Sequence, residues 1–206
     1  MAINAYVGLP GSGKSHSVVE YVILPALKNK RRVFTNVPMH SEKLQKDFGT
    51  TVDQFDIQDV IDNDNWFNDV FVAGAILVID ELWRLWPSGL KQNQAKKQHQ
   101  EFLAEHRHLV GEDGYSTDVI FVTQDLSQIA SFARSLIQST VQTVSLSNIG
   151  LKNNYKVFWY FGAVTGQKPP KSKVEKVSTL QRYKKDVFKY YVSHTKSSVG
   201  AGHEAE

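Results

Sequence analysis

Cysteine is missing from all 206 positions, which excludes disulfides, thiolate metal sites and thiol chemistry. Long hydrophobic runs are missing too. The most extended, VFVAGAILVI at 70–79, has ten residues, about half of the roughly 20 a spanning helix requires. The opening MAINAYVGLPGSGKS lacks the basic start and apolar stretch of a secretory signal, so the chain is expected to be soluble and cytoplasmic. Arginine is scarce, six in all at 31, 32, 84, 107, 134 and 182, without the cluster that the lid of a small-molecule kinase brings. No N-K-x-D or T-K-x-D follows a strand, so a guanine-reading GTPase is excluded. Neither sign of charge dominates the whole, at +3 net. The balance is uneven, however: residues 1–167 carry 15 basic against 17 acidic side chains, and residues 168–206 carry 9 against 4. That basic end reads either as a solvated tail or as a surface for a polyanion or anionic lipid.

The rest alternates between two periods. INAYV (3–7) reads as a short buried strand, and Val18, Val19, Val22 and Ile23 recur at helical spacing in an amphipathic helix closing near Pro25. RRVFTNV (31–37) reads as a strand stopped by Pro38, TVDQFDI as strand-like, and DVIDNDNWFNDV as a short helix with its loop. GAILVIDE (74–81) runs apolar without alternation, the mark of a strand covered on both faces. A helix is expected over 93–110, a strand over 117–124, a helix over 125–138, and strands in TVQTVSL and YKVFWYFGAV. After KPPKSK the chain reads as a linker-like, partly ordered basic segment (168–189), with FKYYV returning as a final strand and 195–206 a flexible tail. Alternating strands and helices over the first 140 residues imply an α/β fold, a mostly parallel sheet with helices on both faces.

Chemistry enters at GLPGSGKS (8–15), a G-x-x-x-x-G-K-S match with a strand before it and an amphipathic helix after it. In such a P-loop, backbone N–H groups turn inward on phosphate oxygens and the helix N-terminus adds its positive dipole. The expected cradle is Gly8, Pro10, Gly11, Ser12, Gly13, Lys14, Ser15 and His16. Lys14 would reach the β- and γ-phosphates, and the Ser15 hydroxyl would ligate Mg²⁺. Asp80, ending its apolar strand, has the placement of the second magnesium ligand. Glu81 is placed to orient and deprotonate a water beyond the γ-phosphate. Gln124 ends the next strand and either contacts the γ-phosphate or simply bonds local backbone. Arg107 and Arg134 are candidates for an arginine finger onto a neighbouring subunit's nucleotide, or are ordinary helix arginines. The histidines at 99, 106 and 108 lack the spacing of a metal site. The two tryptophans of ELWRLWP suit packing better than base stacking.

Taken together, AINAYVGLPGSGKSHSVVEYVILPAL, RRVFTNV, AILVIDELWRLWP, FLAEHRHLVGEDGYSTDVIFVTQDLSQI and FKYYVSH resemble the zonula occludens toxin (Zot) domain. The similarity runs over most of residues 2–194, and that family is shared with the inner-membrane assembly ATPases of filamentous bacteriophages. The resemblance implies a RecA-like P-loop ATPase domain over 1–194, using ATP and Mg²⁺, on the cytoplasmic face of the bacterial inner membrane. It also implies oligomeric action with phage coat proteins, phage DNA and a secretion channel as partners. Family members continue into a transmembrane helix, so these residues would be the cytoplasmic part of a longer protein anchored by a segment beyond them. A DNA translocase or packaging motor of related fold is the alternative.

Overall fold

Four consecutive apolar residues, Ile76–Ile79, are buried on both sides of the strand they form. Alternate residues of a strand point to opposite faces, and the packing follows: Leu77 and Ile79 join one core, Ile76 and Val78 the other. The neighbouring strand repeats the division, with Val119 and Phe121 on the first side and Ile120 and Val122 on the second. Two apolar faces require two helical layers, which fixes the architecture.

The computed structural model describes residues 3–167, 174–177 and 180–192. In chain order its elements are β1 (Ile3–Val7), α1 (Lys14–Val18), α2 (Leu24–Lys28), β2 (Val33–Thr35), α3 (Ser41–Phe48), β3 (Asp53–Gln54), α4 (Ile57–Asp62), α5 (Trp66–Asp69) and β4 (Ile76–Ile79). There follow α6 (Lys97–Glu105), β5 (Asp118–Thr123), α7 (Ser131–Arg134), β6 (Ile137–Ser145), β7 (Asn154–Phe161), β8 (Val174–Val177), β9 (Gln181–Arg182) and α8 (Lys185–Phe188). The strands form one sheet in the order β3-β2-β4-β5-β1-β6-β7-β8, with β9 also on β7. From β3 to β6 every pair is parallel, whereas β7 pairs antiparallel with β6, β8 and β9. The first core packs Val60, Trp66, Phe67, Phe102 and Leu103 against the sheet. The second packs Val18, Val19, Ile23, Leu27 and Leu44, together with Val187 and Tyr191 from the far end of the chain.

The α/β class, the parallel sheet and its doubly covered faces agree with the sequence reading, but several boundaries differ. Pro25 does not close the first helix: the chain is wound as a π-helix over Val19–Ile23 and continues as α2 to Lys28. The wider π turn takes up the ring and the missing N–H of a helical proline. The helix expected over 125–138 shrinks to a 3₁₀ turn at Leu126–Gln128 and the short α7. Ile137 already belongs to β6, because pairing beside β1 outweighs local propensity. The helix expected over 93–110 is confined to α6 and a 3₁₀ turn at His106–His108.

The supposed linker contains β8, β9 and α8 where it is described. FKYYV forms no strand beyond a single bridge between Tyr191 and Met39. Residues 168–173 and the expected tail, 195–206, lie outside the described residues.

His99, buried in the first core, accepts a hydrogen bond at Nδ1 from Trp86 Nε1–H at 3.2 Å. Burial, helped by the nearby Lys96 ammonium, lowers its pKa to about 4. A histidine depressed in the fold is protonated first in the unfolded chain, so stability falls as pH drops below the unfolded value near 6.5. We expect thermal melts to give a lower midpoint at pH 5 than at pH 7.5. A His99→Gln chain should lose part of that difference, since the amide keeps an acceptor and cannot titrate.

Candidate active site

β1 ends at Val7, paired with Thr123 of β5, and the next residue continues the join: Gly8 N–H donates to the Gln124 carbonyl at 3.2 Å. The glycine loop thus leaves the sheet beside the end of β5. Gly8 has φ 151°, and a Cβ there would lie 2.4 Å from Ser12 Oγ and 2.5 Å from the Thr143 carbonyl. Ser12 is buried, its hydroxyl 2.8 Å from Thr143 Oγ1 of β6, so the outer wall of the cradle is pinned to the sheet. Gly13 precedes α1 in the left-handed region at φ 97°. A side chain at Gly13 would strike the Tyr183 ring at 2.8 Å.

Lys14 Nζ donates to the Leu9 carbonyl at 3.3 Å, within reach of the cradle. Burial lowers the Lys14 pKa, while the carboxylates of Asp80 and Glu81 oppose that shift. The lysine and the acidic pair, more than sixty residues apart in sequence, therefore share one electrostatic neighbourhood. They also line one cleft of about 1280 Å³, together with Pro10, Gly11, Gly13, Ser15, His16 and Gln124.

At the end of β4 the Asn36 side chain clamps the backbone of Asp80. Its Nδ2 donates to the Asp80 carbonyl at 2.8 Å and its Oδ1 accepts the Asp80 N–H at 2.7 Å. Asp80 Oδ1 accepts the Glu81 N–H at 2.8 Å, and Glu81 is held left-handed at φ 55°. For a non-glycine residue that conformation costs about 1 kcal/mol or more and persists only where the surroundings impose it.

Ser15 and Asp80 offer hard oxygen donors on the same cleft, which fits magnesium: that ion takes one or two protein oxygens and completes its shell with phosphates and water. Among the described residues no group of three or more His, Cys, Asp or Glu side chains is placed to hold a metal by itself.

The other candidates separate. Gln124 stands exposed on the cleft between the cradle and the acidic pair. The His16 side chain is buried beneath the C-terminal segment, where its Nε2 accepts the Lys184 N–H at 3.2 Å. Burial lowers its pKa, and an accepting Nε2 leaves the ring neutral. Its 3.3 Å approach to Glu20 is therefore no ion pair, and Glu20 pairs instead with Lys184 at 2.6 Å. Only the His16 backbone is left to serve the cradle.

Arg107 is exposed on the 3₁₀ turn leading to Leu109, whose carbonyl bonds Thr117 just before β5 begins. That is the opposite end of the strands from the cleft, and Arg107 is not among the residues lining it. Arg134 donates to the Leu126 carbonyl at 3.3 Å, within its own chain. Trp86 is core, as expected, but Trp83 is 42% exposed on the cleft.

Over residues 2–198 the chain matches the family model described as Zonular occludens toxin (Zot). The chain belongs to the Zot family. It is 24% identical to the Zona occludens toxin of Vibrio cholerae serotype O1 over 95% of its own length and 52% of that protein's. It is 26% identical to the Gene 1 protein of Xanthomonas phage phiLf over 78% of its length and 38% of that protein's. The chain thus spans about half, or less, of the length of these curated relatives.

Among solved structures, the N-terminal domain of zonular occludens toxin from Neisseria meningitidis superposes with a TM-score of 0.65 at 19% identity, covering 93% of this chain and 98% of that one. B204, the DNA-packaging ATPase from Sulfolobus Turreted Icosahedral Virus, superposes with a TM-score of 0.52 at 13% identity, covering 89% and 97%. The fold of this Zot-family chain is that of the P-loop NTPases, and it is RecA-like: β5 lies between the P-loop strand and the strand bearing the acidic pair.

Several residues in or beside the cleft escaped the sequence reading. Asn36 follows a strand that carries no motif, so nothing local marked it. Tyr183 and its neighbours sat in a stretch that read as linker. The Asn36 clamp gives a direct test: Asn36→Ala removes two hydrogen bonds to the Asp80 backbone and should cost about 1–3 kcal/mol in urea unfolding. An unchanged midpoint would show that the clamp does not hold the strand end.

Proposed function

We propose that this chain is a magnesium-dependent ATPase domain whose hydrolysis cycle powers the assembly and export of filamentous phage particles at the bacterial inner membrane. The observation that carries the reading is the convergence of Lys14 with Asp80 and Glu81 on one cleft beside a glycine cradle. The backbone amides of the cradle and the Lys14 ammonium would hold the β- and γ-phosphates. Ser15 and Asp80 would hold Mg²⁺, which supplies charge neutralisation on the phosphate oxygens. Glu81 takes a proton from the water whose oxygen attacks the γ-phosphorus, while the bond to the β–γ bridging oxygen breaks and ADP leaves. Gln124 orients that water or reports the γ-phosphate. Arg107, which does not line its own cleft, would act on a neighbour's nucleotide in a homo-oligomer.

The similarity to a phage gene product supports work on phage particles. Among the described residues no helix is long and apolar enough to cross a membrane. In this reading the coat, the DNA and a secretion channel would be the chain's partners. Translocation of DNA is the second reading, favoured by the exposed Lys152, Arg182, Lys184 and Lys185 on the same cleft. A steep loss of DNA affinity with salt and stimulation of turnover by DNA would select it.

Glu81→Gln is expected to bind Mg·ATP while losing turnover by about 10²-fold or more, and Lys14→Ala to lose binding as well. Calorimetry and phosphate release read the two. No heat from the unaltered chain with Mg·ATP would end the ATPase reading. Turnover per chain should rise with protein concentration. If it stays constant down to dilutions where the chain is monomeric, the shared arginine is excluded.

A further inference from the structure

The segment Gln181–Val192 crosses back over the start of the P-loop helix. Tyr183 Oη donates to the Gly11 carbonyl at 3.2 Å, and its ring stacks on buried Tyr155 at 4.7 Å between centroids. Lys184 is tied to both His16 and Glu20. His40 N–H donates to the Tyr190 carbonyl at 2.8 Å, and Val192 N–H to the Pro38 carbonyl at 2.9 Å. The segment is thus held at both ends, and between them it presents Phe188, an aromatic ring 37% exposed on the same cleft as Lys14.

The strands order the ligand that such a cleft would take. Asp80, Glu81 and Gln124 lie at the ends of β4 and β5, on one side of the loop, where the ATPase reading puts the γ-phosphate. A phosphate chain laid along the cradle then leaves it at the first turn of α1, past the backbone of Ser15 and His16. Next to that exit stand two rings, with centroids 4.9 Å (Phe188) and 5.3 Å (Tyr183) from the His16 ring and 6.2 Å from each other. Phe188 is backed by Tyr191, stacked on it at 5.8 Å. An exposed aromatic braced from behind, where the phosphate chain ends, suits a flat π-face.

We propose that Phe188 and Tyr183 form the base subsite, with the purine of the bound nucleotide packing against the exposed Phe188 ring. This rests on the ATPase reading for the phosphate end of the cleft. Tyr183, held by Gly11 and Tyr155, is the positioning residue: it sets the width between the C-terminal segment and the cradle. Phe188 supplies the contact with the base. Because stacking reads any π-face, the subsite favours nucleotides over bare phosphate chains while discriminating weakly among purines.

The test compares Mg·ATP with inorganic tripolyphosphate, which has the phosphates and no base, by calorimetry on the unaltered chain and on Phe188→Ala, Phe188→Tyr and Lys14→Ala. Expected is a roughly tenfold loss of ATP affinity in Phe188→Ala, with tripolyphosphate unchanged and Phe188→Tyr close to the unaltered chain. Lys14→Ala should weaken both ligands. Equal losses for ATP and tripolyphosphate in Phe188→Ala, or no loss for either, would overturn the base subsite while leaving the ATPase reading intact. Failure of the unaltered chain to bind ATP would instead remove the reading beneath it. Thermal melts of each variant, with Phe188→Tyr as the folded reference, separate lost contact from lost structure.

Discussion

Three parallel strand ends, side by side, govern this molecule. β1 delivers the glycine loop, β4 delivers the acidic pair, and β5 lies between them in register with both. Two strand spacings amount to roughly 9.5 Å, a gap too wide for a direct pairing of backbone groups and suited to phosphates with their ion. The gap is kept by ladder hydrogen bonds to β5 and, just beyond them, by Gly8 N–H to the Gln124 carbonyl, while on the other side of β4 Asn36 clamps the Asp80 backbone. Across that gap burial draws the lysine below its ordinary pKa while the two carboxylates oppose the shift.

The C-terminal segment changes the meaning of the basic composition that ends the chain. Part of that charge is spent locally: Lys184 pairs with the nearly buried Glu20 on the P-loop helix. Tyr183 touches the cradle itself, and Tyr191 enters the second core. The glycine loop and this segment are packed so closely that Gly13 has no room for a side chain between them.

Local pattern was a good guide wherever burial and period agree. The unbroken apolar run ending in Asp80 could only be a strand covered twice, and β4 is that. It misled where a neighbour in space decides the outcome. Residues 125–138 have helical composition, yet Ile137 onwards is captured by β1, because a central parallel strand needs a partner on each side. Pro25 reads as a stop, but a π turn ahead of it lets the helix run on to Lys28. His16 belongs to the phosphate motif by position, while its ring belongs to the packing under Lys184.

By itself the sequence picked out the residues that meet on the two sides of the cleft, since glycine, lysine, serine and carboxylates at strand ends carry backbone freedom and charge that local spacing specifies. It determined the α/β class for the same reason, through period. Only the tertiary structure decided which strands lie side by side, that Asn36 holds Asp80, that Arg107 sits toward the opposite end of the strands from the cleft, and that Tyr183 and Phe188 meet the cradle. Those depend on contacts between residues up to 172 positions apart, and a linear pattern carries no signal for pairings that form only when separate segments are buried together.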